Sequence, residues 1–166
     1  MNRLRFRVGI ALGLLWLSAC AGKEADPPPP GWKTLSPKGL FRVTVPEDLR
    51  EVPVKAIDSF VGGYRSSTLT LDYDYGWYAS TLSEWKNPQE GGYSEEETVI
   101  AGRPAKLVFS RAGEENARVY VAGVHFPEIG RTEGGVTSLT VTLDSVQPIA
   151  TDLAKRIFMS IRIPAK

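Results

Sequence analysis

The stretch Thr137-Ser138-Leu139-Thr140-Val141-Thr142-Leu143 alternates strictly, and Ile149-Ala150-Thr151-Asp152-Leu153-Ala154-Lys155-Arg156-Ile157 soon after it does not. In the first, Leu139, Val141 and Leu143 stand opposite Ser138, Thr140 and Thr142, the period-two pattern of a half-buried strand. In the second, Ile149, Leu153 and Ile157 recur at i, i+4 and i+8, with Ala150, Ala154 and Ile161 widening one apolar stripe. Thr151, Asp152, Lys155 and Arg156 take the other side, and Asp152 with Arg156 is spaced for an i,i+4 ion pair. Ser145 is placed to cap this helix, with Pro148 in the tolerated first turn. A helix with one apolar face needs a sheet to cover.

Working outward, more strands appear. Leu40–Val45 sets Phe41, Val43 and Val45 against Leu40, Arg42 and Thr44, and Pro46 closes it. Thr68–Tyr75 puts Leu69, Leu71, Tyr73 and Tyr75 on one face, and Thr68, Thr70, Asp72 and Asp74 on the other. Gly62-Gly63, inside Ser59–Arg65, predicts a bend or turn. Thr98–Ala101, Ala105–Ser110 and Arg118–Phe126 read as three further strands. Ala101-Gly102-Arg103-Pro104 joins the first two, and Ala112-Gly113-Glu114-Glu115-Asn116 joins the second to the third. Ile161-Arg162-Ile163, stopped by Pro164, adds a terminal strand. Short hairpin spacings predict an α+β domain, a mostly antiparallel sheet covered on at least one face by the C-terminal helix.

That order has a family resemblance. A Phe41-Arg42-Val43-Thr44-Val45-Pro46 strand, meandering hairpins, and a closing helix that ends in Met159-Ser160-Ile161-Arg162-Ile163 resemble the PsbP-like fold over residues 32–164. The fold also occurs in small Ran-binding Mog proteins and in bacterial lipoproteins. The resemblance implies a binding or assembly factor rather than an enzyme.

The amino-terminal end carries a different message. Arg3, Arg5 and Arg7 precede an apolar run from Val8 to Leu17. A basic start followed by about 7–15 apolar residues is the pattern of an export signal, too short for the roughly 20 residues of a spanning helix. The run ends in Leu17-Ser18-Ala19-Cys20, which resembles the lipobox of bacterial lipoproteins. The resemblance implies removal of residues 1–19 and a diacylglycerol on the Cys20 thiol. An amide-linked acyl chain such as palmitate follows on the new amino terminus. More than one hydrophobic chain makes such an anchor stable. Ala21, rather than an aspartate, leans toward the outer membrane. Four prolines, Pro27–Pro30, favour a polyproline II spacer, so residues 20–31 read as a lipidated stalk and 32–166 as one domain.

Composition fits that division. The 166 residues are 42% hydrophobic and 23% charged, near the globular average. Of 20 basic residues three leave with the signal, so 17 face 19 acidic ones. A net charge near −2 argues against a nucleic-acid surface and offers no polybasic cluster for lipid headgroups. The single cysteine cannot close an internal disulfide, and its place in the lipobox explains it.

Candidates for chemistry are few. Tyr73-Asp74-Tyr75-Gly76-Trp77-Tyr78, with Trp85 and Tyr93 nearby, is the densest aromatic stretch. Alternation assigns Tyr73 and Tyr75 to a core. Trp77 and Tyr78, beyond the glycine, together with Asp72 and Asp74, form the expected ligand or partner surface. Glu95-Glu96-Glu97 reads as a solvated acidic loop, since no calcium-loop rhythm surrounds it. His125 is the only histidine, so a histidine-rich zinc site is excluded, and the Gly-x-Ser-x-Gly elbow of a serine hydrolase is absent. Gly91-Gly92 and Gly134-Gly135 read as turns. No cofactor or metal is expected. The sequence points to a lipid-anchored, non-catalytic envelope domain that binds a protein or small ligand. The rivals are a small envelope enzyme of the glycan hydrolase type, using Asp72 and Asp74, and a passive surface lipoprotein.

Overall fold

The computed structural model describes residues 27–55, 60–86, 92–111 and 120–164. The signal segment, Cys20, the turn expected at Ala112–Asn116 and Gly91 lie outside these residues. Nine strands and one helix are described: β1 (Trp32–Leu35), β2 (Val43–Pro46), β3 (Arg50–Val52), β4 (Phe60–Arg65), β5 (Leu69–Gly76), β6 (Ser94–Ile100), β7 (Arg103–Arg111), β8 (Tyr120–Thr132), β9 (Gly135–Ser145) and α1 (Thr151–Met159). β1 and β2 form a separate hairpin. The other seven form one sheet in the order β3-β4-β5-β9-β8-β7-β6, with every neighbouring pair antiparallel. The domain is α+β, as the change of rhythm predicts. Among the described residues no helix is long and apolar enough to cross a membrane.

Hairpins build most of this sheet, and local chemistry sets their ends. Ile100 pairs with Arg103, which leaves Ala101 (φ +51°) and Gly102 (φ +77°) as a two-residue loop with both central φ values positive. Pro104 lies beyond the last β7–β8 pair, Lys106 with His125, where its missing N–H interrupts no ladder to β8. The long-range step is β5 against β9, Leu69–Gly76 on Ser138–Ser145.

The core lies between the sheet and a layer made of α1 and the β1–β2 hairpin. Phe41, Val43 and Val45 meet Leu71, Tyr73, Leu139, Val141, Val124 and Phe126 there, and Ile157, Phe158 and Ile161 close it from the helix side. Arg42 and Arg162 exchange backbone hydrogen bonds of 2.8 and 2.9 Å, so the expected terminal strand is a single bridge tying the last residues to the hairpin. The stalk meets the domain in a tight turn. Trp32 N–H donates to the Pro29 carbonyl at 3.0 Å, and Gly31 takes φ +74°, which a residue with a Cβ rarely adopts.

Four local expectations change. Ser145 does not cap the helix: it ends β9, donates to the Thr68 carbonyl at 2.9 Å and accepts from Gln147 N–H at 3.0 Å. Pro148 disfavours helical geometry at Gln147, and the helix begins only after Ala150. Arg156, spaced for Asp152, sets its guanidinium 4.3 Å from the Trp32 ring centroid. Glu95–Glu97 is not a loop but part of edge strand β6, where charged side chains discourage pairing with another chain. Glu96 meets Lys155 of α1 at 2.7 Å, and Glu95 accepts from the Tyr93 hydroxyl at 2.6 Å. Finally, Gly62-Gly63 is mid-strand. The pairs Gly62–Tyr73 and Gly63–Asp72 sit in unbroken ladder, because the Tyr73 ring fills the space above Gly62.

Candidate functional site

Strand pairing fixes what shares the other face of the sheet. The register Val61–Asp74–Thr140–His125–Lys106 runs straight across five strands, and Gly63–Asp72–Thr142–Gly123–Val108 lies beside it. Neighbouring strands are about 4.8 Å apart, so each row is a ladder of side chains pointing away from the helix. Part of this face is covered. The chain from Ala79 to Trp85, with a 3₁₀ turn at Ser83–Trp85, straps it, burying Ala79, Leu82 and Val108. Gly123 permits that approach, since a Cβ there would come within 2.6 Å of Leu82 and 3.0 Å of Trp85. Leu82 holds φ +62°, a backbone region that leucine rarely occupies, while almost wholly buried.

Beside the strap the face opens into a cleft of about 320 Å³. Its floor is β4, β5 and β9, contributing Val61, Asp72, Asp74, Thr140 and Thr142. Ser80 of the strap and Val54 border it, and Arg65 reaches it from the end of β4. Among the described residues the Asp74 Oδ1 atom, which is buried, has no hydrogen-bond donor. An orphaned acceptor of that kind is uncommon in a folded protein.

Behind the strap the polar groups are satisfied. Thr140 Oγ1 donates to the Ser80 carbonyl at 2.5 Å, and Ser138 Oγ donates to Gly76 O at 3.0 Å. With its proton so used, Thr140 Oγ1 accepts from His125 Nδ1 at 2.9 Å. Burial pushes the His125 pKa below its ordinary value, and the Lys106 cation pushes the same way. The Ser80 carbonyl, Glu84 and Glu97 oppose them. A depressed folded-state pKa means that acid protonates the unfolded chain first. Stability contributed by neutral His125 is therefore present above about pH 6.5 and declines as pH falls toward the folded value. Urea unfolding between about pH 7 and about pH 5 should show this decline in the wild type and a flatter profile in His125→Gln. Identical slopes would mean that His125 titrates alike in both states.

The structure divides the four residues expected to act together. Asp72 and Asp74 share the cleft. Trp77 and Tyr78 lie outside it, 53% and 78% exposed. The Trp77 ring lies against Gly134 in the β8–β9 hairpin, where a Cβ would overlap it. Phe60 is also exposed at this end, edge-on to Tyr75 and 5.2 Å beneath the Lys38 ammonium. Val61, Arg65, Ser80, Thr140 and Thr142 were not among the expected site residues. The alternation of 137–143 marks the two threonines as one polar face, but only the β5–β9 pairing brings them to the aspartates. Among the described residues no group of three or more histidine, cysteine, aspartate or glutamate side chains is arranged to hold a metal ion.

No family model matches the chain, and no curated protein matches it. A crystal structure of a protein from Bacteroides thetaiotaomicron VPI-5482, at 1.50 Å resolution, is similar with a TM-score of 0.43 and 11% identity. The similarity covers 82% of this chain and 50% of that one, so this chain spans about half the length of that protein.

Proposed function

We propose that this chain is an exported bacterial lipoprotein, held at the membrane through lipid on Cys20, whose domain binds a small ligand without transforming it. The observation that carries the binding reading is the cleft on the open sheet face, whose polar lining includes Asp72, Asp74, Thr140 and Thr142. Order and side argue against the enzymatic rivals. A hydrolase relay needs the carboxylate behind the histidine and the hydroxyl in front. Here the row runs Asp74–Thr140–His125, with the hydroxyl in the middle and its proton on Ser80. Glycosidase carboxyls must flank the scissile bond, whereas Asp72 and Asp74 rise from one strand on the same side.

The PsbP-like assignment draws support from the order of elements, an amino-terminal hairpin, a meandering antiparallel sheet and a closing helix. The outer-membrane lean rests on Ala21. Gly31, where the stalk enters, bonds Glu47 N–H at the Pro46 end of the β1–β2 hairpin, while Lys38 at the other end reaches Phe60. Exposed Phe60 therefore lies at the opposite end of the β1–β2 hairpin from Gly31, a position suited to contact with another envelope protein.

The test is intact mass and membrane fractionation in a lipoprotein-processing bacterium, wild type beside Cys20→Ser. A mature mass that begins at Cys20 and carries acyl chains, lost in the variant, is the expected result. An unmodified, soluble, full-length product overturns the anchor. The same membranes, incubated with a small-molecule extract of the envelope, should retain a compound that is released chemically unchanged. Release of a converted product points to the enzyme instead.

A further inference from the structure

We infer that the strap of residues 79–85 is a releasable cover over the sheet, latched at the Ser80 carbonyl, and that acid unlatches it through His125. The inference goes beyond the binding reading and stands whether or not the cleft takes a ligand. The strap is tied down at both ends and held by little in between. Before it, Ser138 Oγ donates to the Gly76 carbonyl, and after it the Lys86 ammonium lies 3.9 Å from Glu95. Among the described residues, the polar links from the strap itself to the sheet converge on one atom, the Ser80 carbonyl oxygen. The Thr140 hydroxyl donates to it at 2.5 Å, and the His125 ring addresses the same carbonyl. The other hydrogen bonds stay within the segment: Leu82 N–H to Ser80 Oγ, Ser80 Oγ to Glu84, and Trp85 N–H to the Leu82 carbonyl.

The apolar seat is equally local. Leu82 drops into the space that Gly123 leaves, with Trp85 beside it. To reach that seat Leu82 takes φ +62° and ψ 12°, left-handed geometry that lifting the strap relieves. Such a residue persists only while its surroundings hold it. His125 ties the hold to pH. Its buried ring lies directly opposite Lys106 in the β7–β8 register, so a second proton sets two cations face to face. Glu84 of the strap and Glu97 of β6 offset part of that charge, and Asp74 lies beyond Thr140 in the same row. Burial and Lys106 prevail, and the His125 pKa is held below its ordinary value. Lifting the strap exposes the ring and restores that value, so the open form takes up the proton first. Acid therefore favours opening. The same movement carries Ser80 away from the border of the cleft and extends the cleft along the row toward His125.

The test is amide hydrogen exchange by NMR on the full-length chain in detergent micelles, between about pH 7 and about pH 5. Protection is taken relative to the unstructured peptide, which removes the intrinsic pH dependence of exchange. The Leu82, Trp85 and Lys86 amides are expected to exchange through an opening that leaves Leu139 and Val141 of β9 protected. Their protection should fall severalfold across that range, with about thirtyfold the ceiling for an open-state pKa of about 6.5. His125→Gln should remove this fall. Gly123→Ala, whose Cβ would come within 2.6 Å of Leu82 and 3.0 Å of Trp85, should unprotect the strap throughout the range and spare Leu139 and Val141. If the strap amides are as protected as Leu139 and Val141, the segment opens only with the whole domain and the inference fails. A fall of the same size in His125→Gln places the trigger elsewhere and overturns the acid latch. If Gly123→Ala strips protection from strap and ladder together, the strap is not a separable cover.

Discussion

Phe41→Ala should cost the domain about 3–5 kcal/mol, enough to consume much of the 5–15 kcal/mol typical of a folded domain. Phe41 is fully buried and meets the Tyr73 ring edge-on, centroids 5.4 Å apart at 74°. Truncation removes both the buried area and an aromatic pair worth about 0.5–1.5 kcal/mol. Its position amplifies the loss. The next residue, Arg42, is bonded in both directions to Arg162, so Phe41 anchors the layer that joins the hairpin to the last turn of the chain. Little can collapse into the space without breaking that bridge. Phe60→Ala is the matched control, since Phe60 is 53% exposed and should lose no more than about 1 kcal/mol. Urea titration of the full-length proteins reads both, as a shift in midpoint at unchanged slope. A Phe41→Ala midpoint that moves no further than that of Phe60→Ala would mean that the hairpin is not packed on the sheet as described.

Much of the architecture was legible because one-sided burial leaves a period. Phe41, Val43 and Val45, then Leu69, Leu71 and Tyr73, then Leu139, Val141 and Leu143 all proved to be core, each on the alternating face that the sequence marks. The helical stripe held at Ala154, Ile157 and Ile161 for the same reason. Periodicity was silent where a cause lay across the sheet. Gly62-Gly63 resembles a turn in isolation, and only the pairing of Gly62 with Tyr73 explains a glycine there. The helix start is displaced because Ser145, which has the chemistry of a cap, commits its hydroxyl to Thr68, 77 residues earlier in the chain.

The candidate site was legible by halves. Asp72 and Asp74 announce themselves as polar positions of an alternating strand, and they do line a cleft. Grouping them with Trp77 and Tyr78 followed sequence proximity, which ends at Gly76, where β5 stops and the chain leaves the sheet. Their true neighbours, Thr140 and Thr142, are near only through β5–β9 pairing over more than 60 residues. The strap was hidden for a different reason. Ala79, Leu82 and Trp85 show no strand or helix period, because a segment that crosses a sheet face buries side chains wherever it touches.

Gly62→Ala puts the clearest sign on that cross-strand account. In an ordinary strand, replacing glycine by alanine stabilises by about 0.5–1 kcal/mol, since the unfolded chain loses freedom. Here the new Cβ would lie 2.5 and 2.6 Å from Tyr73 Cε1 and Cζ, closer than such atoms approach. Tyr73 is only 6% exposed and is backed by Phe41, so its ring cannot swing clear without opening the core. Overpacking of this kind costs about 1–3 kcal/mol, which exceeds the entropic gain and reverses its sign. Gly62→Ala is therefore expected to destabilise, and Tyr73→Leu in the same chain should recover part of the loss by removing the ring. A double-mutant cycle should give a coupling of about 1–2 kcal/mol in the relieving direction. Additive effects would mean that the Tyr73 ring does not rest on Gly62, and the glycine would again need the turn that its sequence suggests.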